Sequence, residues 1–325
     1  MKVSVNIVTW NGEKYIESCI QSVLNQTFQD FSVLIIDNGS TDATVSLIKE
    51  RFPQLKVVLS KDNTGFSKAH NKAIHWTSSD YVLCLNQDVV LKKDFLEKAV
   101  NFLDSKKDAG AIAGKLLKLH EEIGDDLIDS CGLQLKKNFL ALDIFEGEKD
   151  EGQCNALKEV FGVSGAAPIY RREALASVKY KEEFFDEDFF SYKEDVDLAI
   201  RLRYLGWKAY YLPDSCAYHV RTVGRDANKK IRMARKFKSD FANFYSYRNQ
   251  LLLLKKDLPK KKLKYIFPVF WYEFKKFVYV LFLEHKSWKA WGEYFKLKKT
   301  MKEKRLWIRE KRVVTDAEVA SWFKL

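Results

Sequence analysis

Four short stretches concentrate the side chains that could do chemistry. Thr9-Trp-Asn11, Asp37-Asn-Gly-Ser-Thr-Asp42 and Asn86-Gln-Asp88 each put hydroxyls, amides or carboxylates directly behind an apolar run. Tyr192-Lys-Glu-Asp195 puts an acidic pair ahead of a helical pattern. Oxygen-rich groups of this kind suit two tasks, hydrogen-bonding a polar ligand and holding a hard divalent ion. Each stretch also has an ordinary explanation. Asp37–Asp42 reads as a turn followed by helix-capping residues. An acidic pair at a helix start is stabilised by the helix dipole. His219, in Tyr-His-Val after the apolar-aromatic run Ala209–Leu212, is a lone histidine, and lone histidines are more often structural than ligands.

The elements that must position these groups follow a strand–helix rhythm. Val3–Val8, Phe31–Ile36, Lys56–Leu59 and Tyr81–Leu85 are short β-branched or buried runs, and Ala109–Leu117 is a further strand. Between them, Ile16, Cys19, Ile20, Val23 and Leu24 keep helical spacing, as do a segment through Arg51 and Lys68–Trp76. Val196, Ala199, Ile200 and Arg203 trace one helical stripe, Leu198 and Leu202 another, so Glu194 and Asp195 open a helix. The alternation predicts an α/β fold with a mostly parallel, helix-covered sheet. In such sheets ligands bind at the carboxyl ends of the strands, which is where three of the polar clusters fall.

Length and composition bound the class. The chain has 325 residues, 46% hydrophobic and 14% aromatic, enough to bury a large core and to exclude a disordered chain. Five scattered cysteines without a Cys-x-x-Cys pair read as buried thiols in a reducing compartment. The N-terminus lacks the pattern of a signal peptide. The most apolar window, Ile266–Leu283, is broken by Glu273, Lys275 and Lys276, which argues against a spanning helix. A cytoplasmic protein is expected. The formal charge of +12 is unevenly spread: residues 229–325 carry 27 Lys+Arg against 9 Asp+Glu, so the remainder is mildly acidic. That tail also holds five of the eight tryptophans. Basic residues mixed with large aromatics fit an anionic membrane surface, plain helical packing with a solvated basic face, or nucleic acid. No nucleic-acid module is recognisable, and none is expected as a partner.

Six segments taken in order carry a resemblance. IVTWNGEKYIESCIQSVLNQTF, IIDNGSTD, DNTGFSKAHNKAI, YVLCLNQDVVL, GVSGAAPIYRREAL and FFSYKEDVDLAIRLRYLGWKAYYLPDSCAYH together resemble a family 2 glycosyltransferase of the bacterial rhamnosyltransferase-like branch. The resemblance covers about residues 1–255. It implies a GT-A (Rossmann-like) fold over residues 1–228, with a nucleotide-binding half to about 120 and an acceptor-binding half from 121; the basic, aromatic helical region over 229–325 is read from its composition. It also implies a nucleotide-diphosphate sugar donor, a divalent metal (Mn²⁺ or Mg²⁺) and inversion at the anomeric carbon.

Residue by residue, the resemblance assigns donor binding to Thr9, Asn11, Asp37, Asn38, Asn63, Gly65, Asn86, Asp88 and Gly165. Asn86-Gln87-Asp88 occupies the family's Asp-x-Asp position. An amide is a weaker metal ligand than a carboxylate, so Asp88 is the direct ligand, completed by His219. Imidazole accommodates Mn²⁺ better than Mg²⁺. Asp195 becomes the general base, with Glu194 orienting it or touching the acceptor, and Trp207 a further acceptor contact. A single carboxylate suffices for one inverting displacement. Gly162-Val-Ser-Gly165-Ala-Ala forms the floor beneath the donor sugar or is merely tightly packed. The branch points to dTDP-rhamnose as donor and to a lipid-linked saccharide or polysaccharide acceptor in cell-surface glycan synthesis. The tail would then hold the protein peripherally on the inner face of the cell membrane. Two rivals are a nucleotidyltransferase, which would need a Gly-rich basic loop that Thr9-Trp-Asn-Gly12 does not supply, and a catalytically inactive nucleotide-sugar-binding protein.

Overall fold

The computed structural model describes residues 1–119, 127–220, 235, 238–259 and 263–324. The boundaries expected near 120 and 228 lie outside the described residues. Strands β1 (Val3–Thr9), β2 (Phe31–Asp37), β3 (Lys56–Leu59) and β4 (Tyr81–Asn86) alternate with helices α1 (Ile16–Leu24), α2 (Thr44–Arg51) and α3 (Gly65–Trp76). Strand β5 (Val89–Leu91) follows at once, then α4 (Phe95–Ser105), the long β6 (Ala109–Lys118), β7 (Ile128–Ser130), β8 (Leu133–Lys136), β9 (Ala141–Asp143), β10 (Lys158–Val160) and β11 (Ile169–Arg171). Helices α5 (Arg172–Ser177) and α6 (Glu194–Tyr204) precede β12 (Lys208–His219). The main sheet runs β10-β12-β6-β11-β4-β1-β2-β3, with β5 on β12 and β7 on β6. The pairs β1–β2, β1–β4, β2–β3 and β6–β12 are parallel, while β11 inserts antiparallel between β4 and β6. The expected α/β fold and its strands are present within a residue or so. Helix α3 starts earlier than the pattern suggested, at Gly65.

Alternate side chains of β1 explain why it lies at the centre. Val3, Val5 and Ile7 are fully buried among Ile16, Ile20 and Val23 of α1, each stabilising the fold by about 1.5–3 kcal/mol. All five cysteines are free thiols, four of them buried.

The chain continues as α7 (Asp240–Asp257), α8 (Leu263–Leu283), α9 (Lys289–Glu310), α10 (Asp316–Ser321) and β13 (Phe323–Lys324). Leu252, Leu253, Met301, Ile308 and Trp322 share one core with Leu133, Phe161, Ile200 and Tyr204. Strand β13 pairs in parallel with β8. Buried charges join the two parts as well: Lys304 contacts Glu183, Asp186 and Asp188, and Lys256 contacts Asp186 and Asp197. The opposite side of α8 is open, with Phe267, Phe270, Trp271, Phe274 and Phe282 all exposed. No helix among the described residues is long and apolar enough to cross a membrane.

Candidate active site

Register brings the first three clusters to one edge. Thr9 pairs with Asp37 across β1–β2, and Val8 pairs with Asn86 across β1–β4, so all three strands end level. A cavity of about 230 Å³ opens there, lined by Trp10, Asn38, Asn63, Gly65, Asn86 and Asp88 among others. A second cavity of about 510 Å³ adjoins it and contains Asp143, Gly165, Lys193, Glu194, Asp195 and His219. Phe66, Asn86 and Ser191 line both. The site is therefore one cleft with two chambers meeting at Asn86.

Several predicted donor residues tie together the loops that form the first chamber. Thr9 is buried and donates its hydroxyl to Gln87 Oε1, which also accepts from the Trp10 N–H at 2.8 Å. Asn11, at φ 49°, accepts from the Thr41 N–H at 2.8 Å, tying the loops after β1 and β2. Asn38 donates to Asn63 Oδ1 and the Gly65 carbonyl, and accepts from the Thr64 N–H at 3.0 Å. It thus locks the Asn63–Gly65 loop. Asp37 accepts backbone N–H bonds from Gly39 and Ser40 through Oδ2, as an Asx turn does. Its Oδ1 is buried with no protein partner. Gly65 is required twice over: its φ is +82°, and a Cβ would come within 2.5 Å of the Phe190 carbonyl oxygen.

Topology also joins Asp88 to His219, because β5 runs antiparallel to the end of β12 with Val89 opposite His219. His219 Nε2 lies 3.4 Å from Asp88 Oδ1, and its Nδ1 lies 2.8 Å from Asp129 Oδ2. Burial alone would lower the imidazole pKa, but hydrogen bonds to Asp129 and Asp88 outweigh it and raise the value to about 9. A histidine oriented by a buried carboxylate on one nitrogen, with a second oxygen ligand near the other, fits a metal. Among the described residues no cluster of three His, Cys, Asp or Glu side chains forms a complete site. Asp88 and His219 could supply two positions, leaving the others to substrate oxygens and water. Asp129 escaped the sequence reading because nothing local marks it; β7 delivers it across the sheet.

In the second chamber, Glu194 and Asp195 open α6 behind an unusual loop. Phe190, Tyr192 and Lys193 have φ of 61°, 71° and 70°, a left-handed backbone rarely adopted by such residues. Asp195 accepts from the Gly165 N–H at 3.2 Å and the Val196 N–H at 2.8 Å. Its carboxyl is nonetheless raised, first by burial and then by the charge of Asp143. Burial and the neighbouring Asp195 charge hold Glu194 well above the usual range, and its Oε2 has no partner. The two explanations of the small-residue segment divide between its glycines. A Cβ at Gly162 would come within 2.6 Å of Ala199, so that position is packed, whereas Gly165 has room and lines the chamber. Trp207 lines neither chamber. Its indole donates to Ser177 Oγ at 3.0 Å and it packs over Gly110, because β12 starts at the far end of the sheet from His219.

The family model for glycosyl transferase family 2 matches residues 4–178, just over half of the chain. The chain belongs to that family. It is 26% identical over 240 residues to the N-acetylglucosaminyl-diphospho-decaprenol L-rhamnosyltransferase of Mycobacterium tuberculosis, covering 67% of this chain and 76% of the relative. An uncharacterized glycosyltransferase of Haemophilus influenzae is 27% identical over 213 residues, 64% of this chain and 62% of the relative's length. The crystal structure of GalNAc-T7 with UDP, GalNAc and Mn²⁺ superimposes with a TM-score of 0.60 at 14% identity, covering 99% of this chain and 58% of that one. The GT-A fold of family 2 is thus the fold of this chain.

Proposed function

We propose that this family 2 member is an inverting glycosyltransferase. It moves a sugar from a nucleotide-diphosphate sugar to a hydroxyl of a lipid-linked saccharide or polysaccharide acceptor in cell-surface glycan synthesis. The observation that carries the reading is the two-chambered cleft, with an orphan carboxylate oxygen on Asp37, next to Asn38 of the first chamber, and a half-buried carboxylate, Asp195, lining the second. Asp37 Oδ1 accepts a nucleobase N–H, and the Asn63–Gly65 loop backs the ribose. Asp195 takes the proton of the acceptor hydroxyl as its oxygen attacks the anomeric carbon. The bond from that carbon to the diphosphate breaks, and its electron pair leaves on the diphosphate oxygen. Asp88 and His219 would hold Mn²⁺ or Mg²⁺, which when bound offsets charge on the departing diphosphate.

The donor is dTDP-rhamnose, a choice supported by the rhamnosyltransferase-like motifs and by the name of the mycobacterial relative; UDP in the GalNAc-T7 structure favours a UDP-sugar as the second reading. The exposed aromatic face of α8, with exposed Lys275 beside it and Lys286 just beyond its end, lies on an anionic leaflet, where a lipid-linked acceptor would be met. Aromatic rings anchor at headgroup level, and each lysine near such a surface contributes about 1 kcal/mol. A thermal-shift panel of dTDP, UDP, GDP and their sugars, with and without Mn²⁺ or Mg²⁺, tests the assignment, because bound ligand raises Tm with ln(1 + [L]/Kd). A metal-dependent rise with dTDP-rhamnose supports it. A preference for UDP or GDP replaces the donor, and no response from folded protein overturns the nucleotide site.

A further inference from the structure

The loop ahead of Glu194 is held in an unusual conformation by a helix of the C-terminal region. Phe190, Tyr192 and Lys193 all hold positive φ without a glycine, and such conformations cost about 1–3 kcal/mol each unless the surroundings over-determine them. What determines them comes from α7. Asn249, fully buried, points its Nδ2 at the carbonyls of Phe189, Ser191 and Tyr192, at 2.7, 2.7 and 2.6 Å. Only the amide NH2, with one of its two hydrogens shared, can serve three carbonyls. The neighbouring Arg248 fixes that orientation by donating its Nε–H to Asn249 Oδ1 at 2.9 Å, and donates Nη2 to the carbonyls of Asp188 and Phe189. The Arg248 guanidinium lies 4.7 Å from the ring of Tyr245, which stacks on Phe190 at 4.9 Å. The clamped loop is also the wall between the chambers: Ser191 lines both, and the Phe190 carbonyl accepts from the Ser67 N–H of α3.

We infer that Arg248 and Asn249 are positioning residues of the reaction, holding the Phe189–Lys193 loop so that Asp195 and Glu194 meet the acceptor at the junction of the chambers. The inference rests on the transferase reading above. It makes the basic C-terminal region a part of the catalytic apparatus in addition to any surface it presents. Neither residue touches the reacting atoms; both act through the loop.

The test uses the full chain with Asn249→Asp, which keeps the shape but turns the donor into an acceptor, and Arg248→Lys as a milder change. Hydrogen exchange is read over residues 188–195, UDP and dTDP binding by calorimetry, and turnover as nucleoside diphosphate released from dTDP-rhamnose or UDP-N-acetylglucosamine with water as acceptor. The expected result is faster exchange confined to 188–195, unchanged nucleotide affinity, and a kcat about 10–100-fold lower at unchanged donor KM, since a misplacement of about 1 Å costs about 10²-fold. Exchange protection in both variants equal to that of the native chain overturns the clamp. Faster exchange with full kcat, or a loss of kcat that follows the folded fraction or nucleotide affinity, overturns the positioning role. A native chain that binds and turns over no sugar nucleotide sinks the transferase reading instead, leaving the exchange arm to decide the clamp.

Discussion

Asp195→Asn and Glu194→Gln should separate two carboxyls that are adjacent in sequence and alike in chemistry. Asp195 is held by the N–H groups of Gly165 and Val196, which favour its charged form, and it faces the larger chamber. Glu194 has an unpartnered Oε2 and a pKa pushed well up, first by burial and then by Asp195. On the proposed reading Asp195 acts as the base, while Glu194, pushed towards its neutral form by burial and by Asp195, holds a position that an amide can fill. Loss of a general base costs about 10²–10⁴-fold, or about 2.7–5.4 kcal/mol at 1.36 kcal/mol per decade. Asp195→Asn should lose that much kcat, while Glu194→Gln stays within about tenfold and both bind nucleotide normally. Stability should move the other way. The folded state holds both protons more tightly than the unfolded chain, so stability is complete below the ordinary carboxylate pKa of about 4. It declines as pH rises from there towards the raised values. At pH 8 both variants should therefore melt higher than the native protein, by about 2–4 °C per kcal/mol recovered, and at pH 4 the gain should vanish. The assay is nucleoside diphosphate release per folded enzyme, with melting curves at both pH values. Asp195→Asn retaining more than about one-tenth of kcat, or Glu194→Gln losing as much as Asp195→Asn, would refute the assignment.

Four further outcomes follow from other parts of the molecule. Asp129→Asn should weaken Mn²⁺ binding in the presence of UDP or dTDP by about 10–100-fold, as loss of a carboxylate behind a ligating histidine does; calorimetry with unchanged Mn²⁺ affinity would separate Asp129 from the metal. Phe270→Glu combined with Phe274→Glu should abolish flotation with vesicles containing anionic phosphatidylglycerol while leaving the nucleotide thermal shift intact, and undiminished flotation would remove α8 from the membrane. Lys304→Met removes the buried cation shared by Glu183, Asp186 and Asp188 and leaves Asp186 with Lys256 alone, so it should cost about 3 kcal/mol and lower Tm by roughly 10 °C. Truncation after residue 258 should be worse, and a truncated protein with native Tm and nucleotide binding would show the tail to be dispensable.

Much of the scaffold was legible because it is local. The strand β1 declares itself in Val3–Val8, and the level ends of β1, β2 and β4 follow from parallel pairing of runs that each stop at a polar cluster. The strand pattern alone therefore places Asp37, Asn86 and Asp88 together. The small-residue segment is packed at Gly162 and lines the chamber at Gly165, because only the neighbour opposite each Cα distinguishes the two. Trp207 shows the limit of adjacency. It follows α6 closely in sequence, yet the chain turns away at Gly206 and starts β12 at the opposite end of the sheet.

The least legible part was the meaning of the tail. Composition registers Lys256, Lys304, Arg248 and Arg305 as basic surface, yet all four are buried. A charge count cannot tell a solvated lysine from one enclosed by Asp186, Asp188 and Glu183, because the carboxylates that enclose it lie over a hundred residues away. Burying such charges is costly unless every partner is present, so the network couples the folding of α9 to that of the loop before α6. Asn249 couples α7 to the same loop. The structure argues that the Phe189–Lys193 conformation, and with it the position of Asp195, depends on helices that composition alone would assign to the surface.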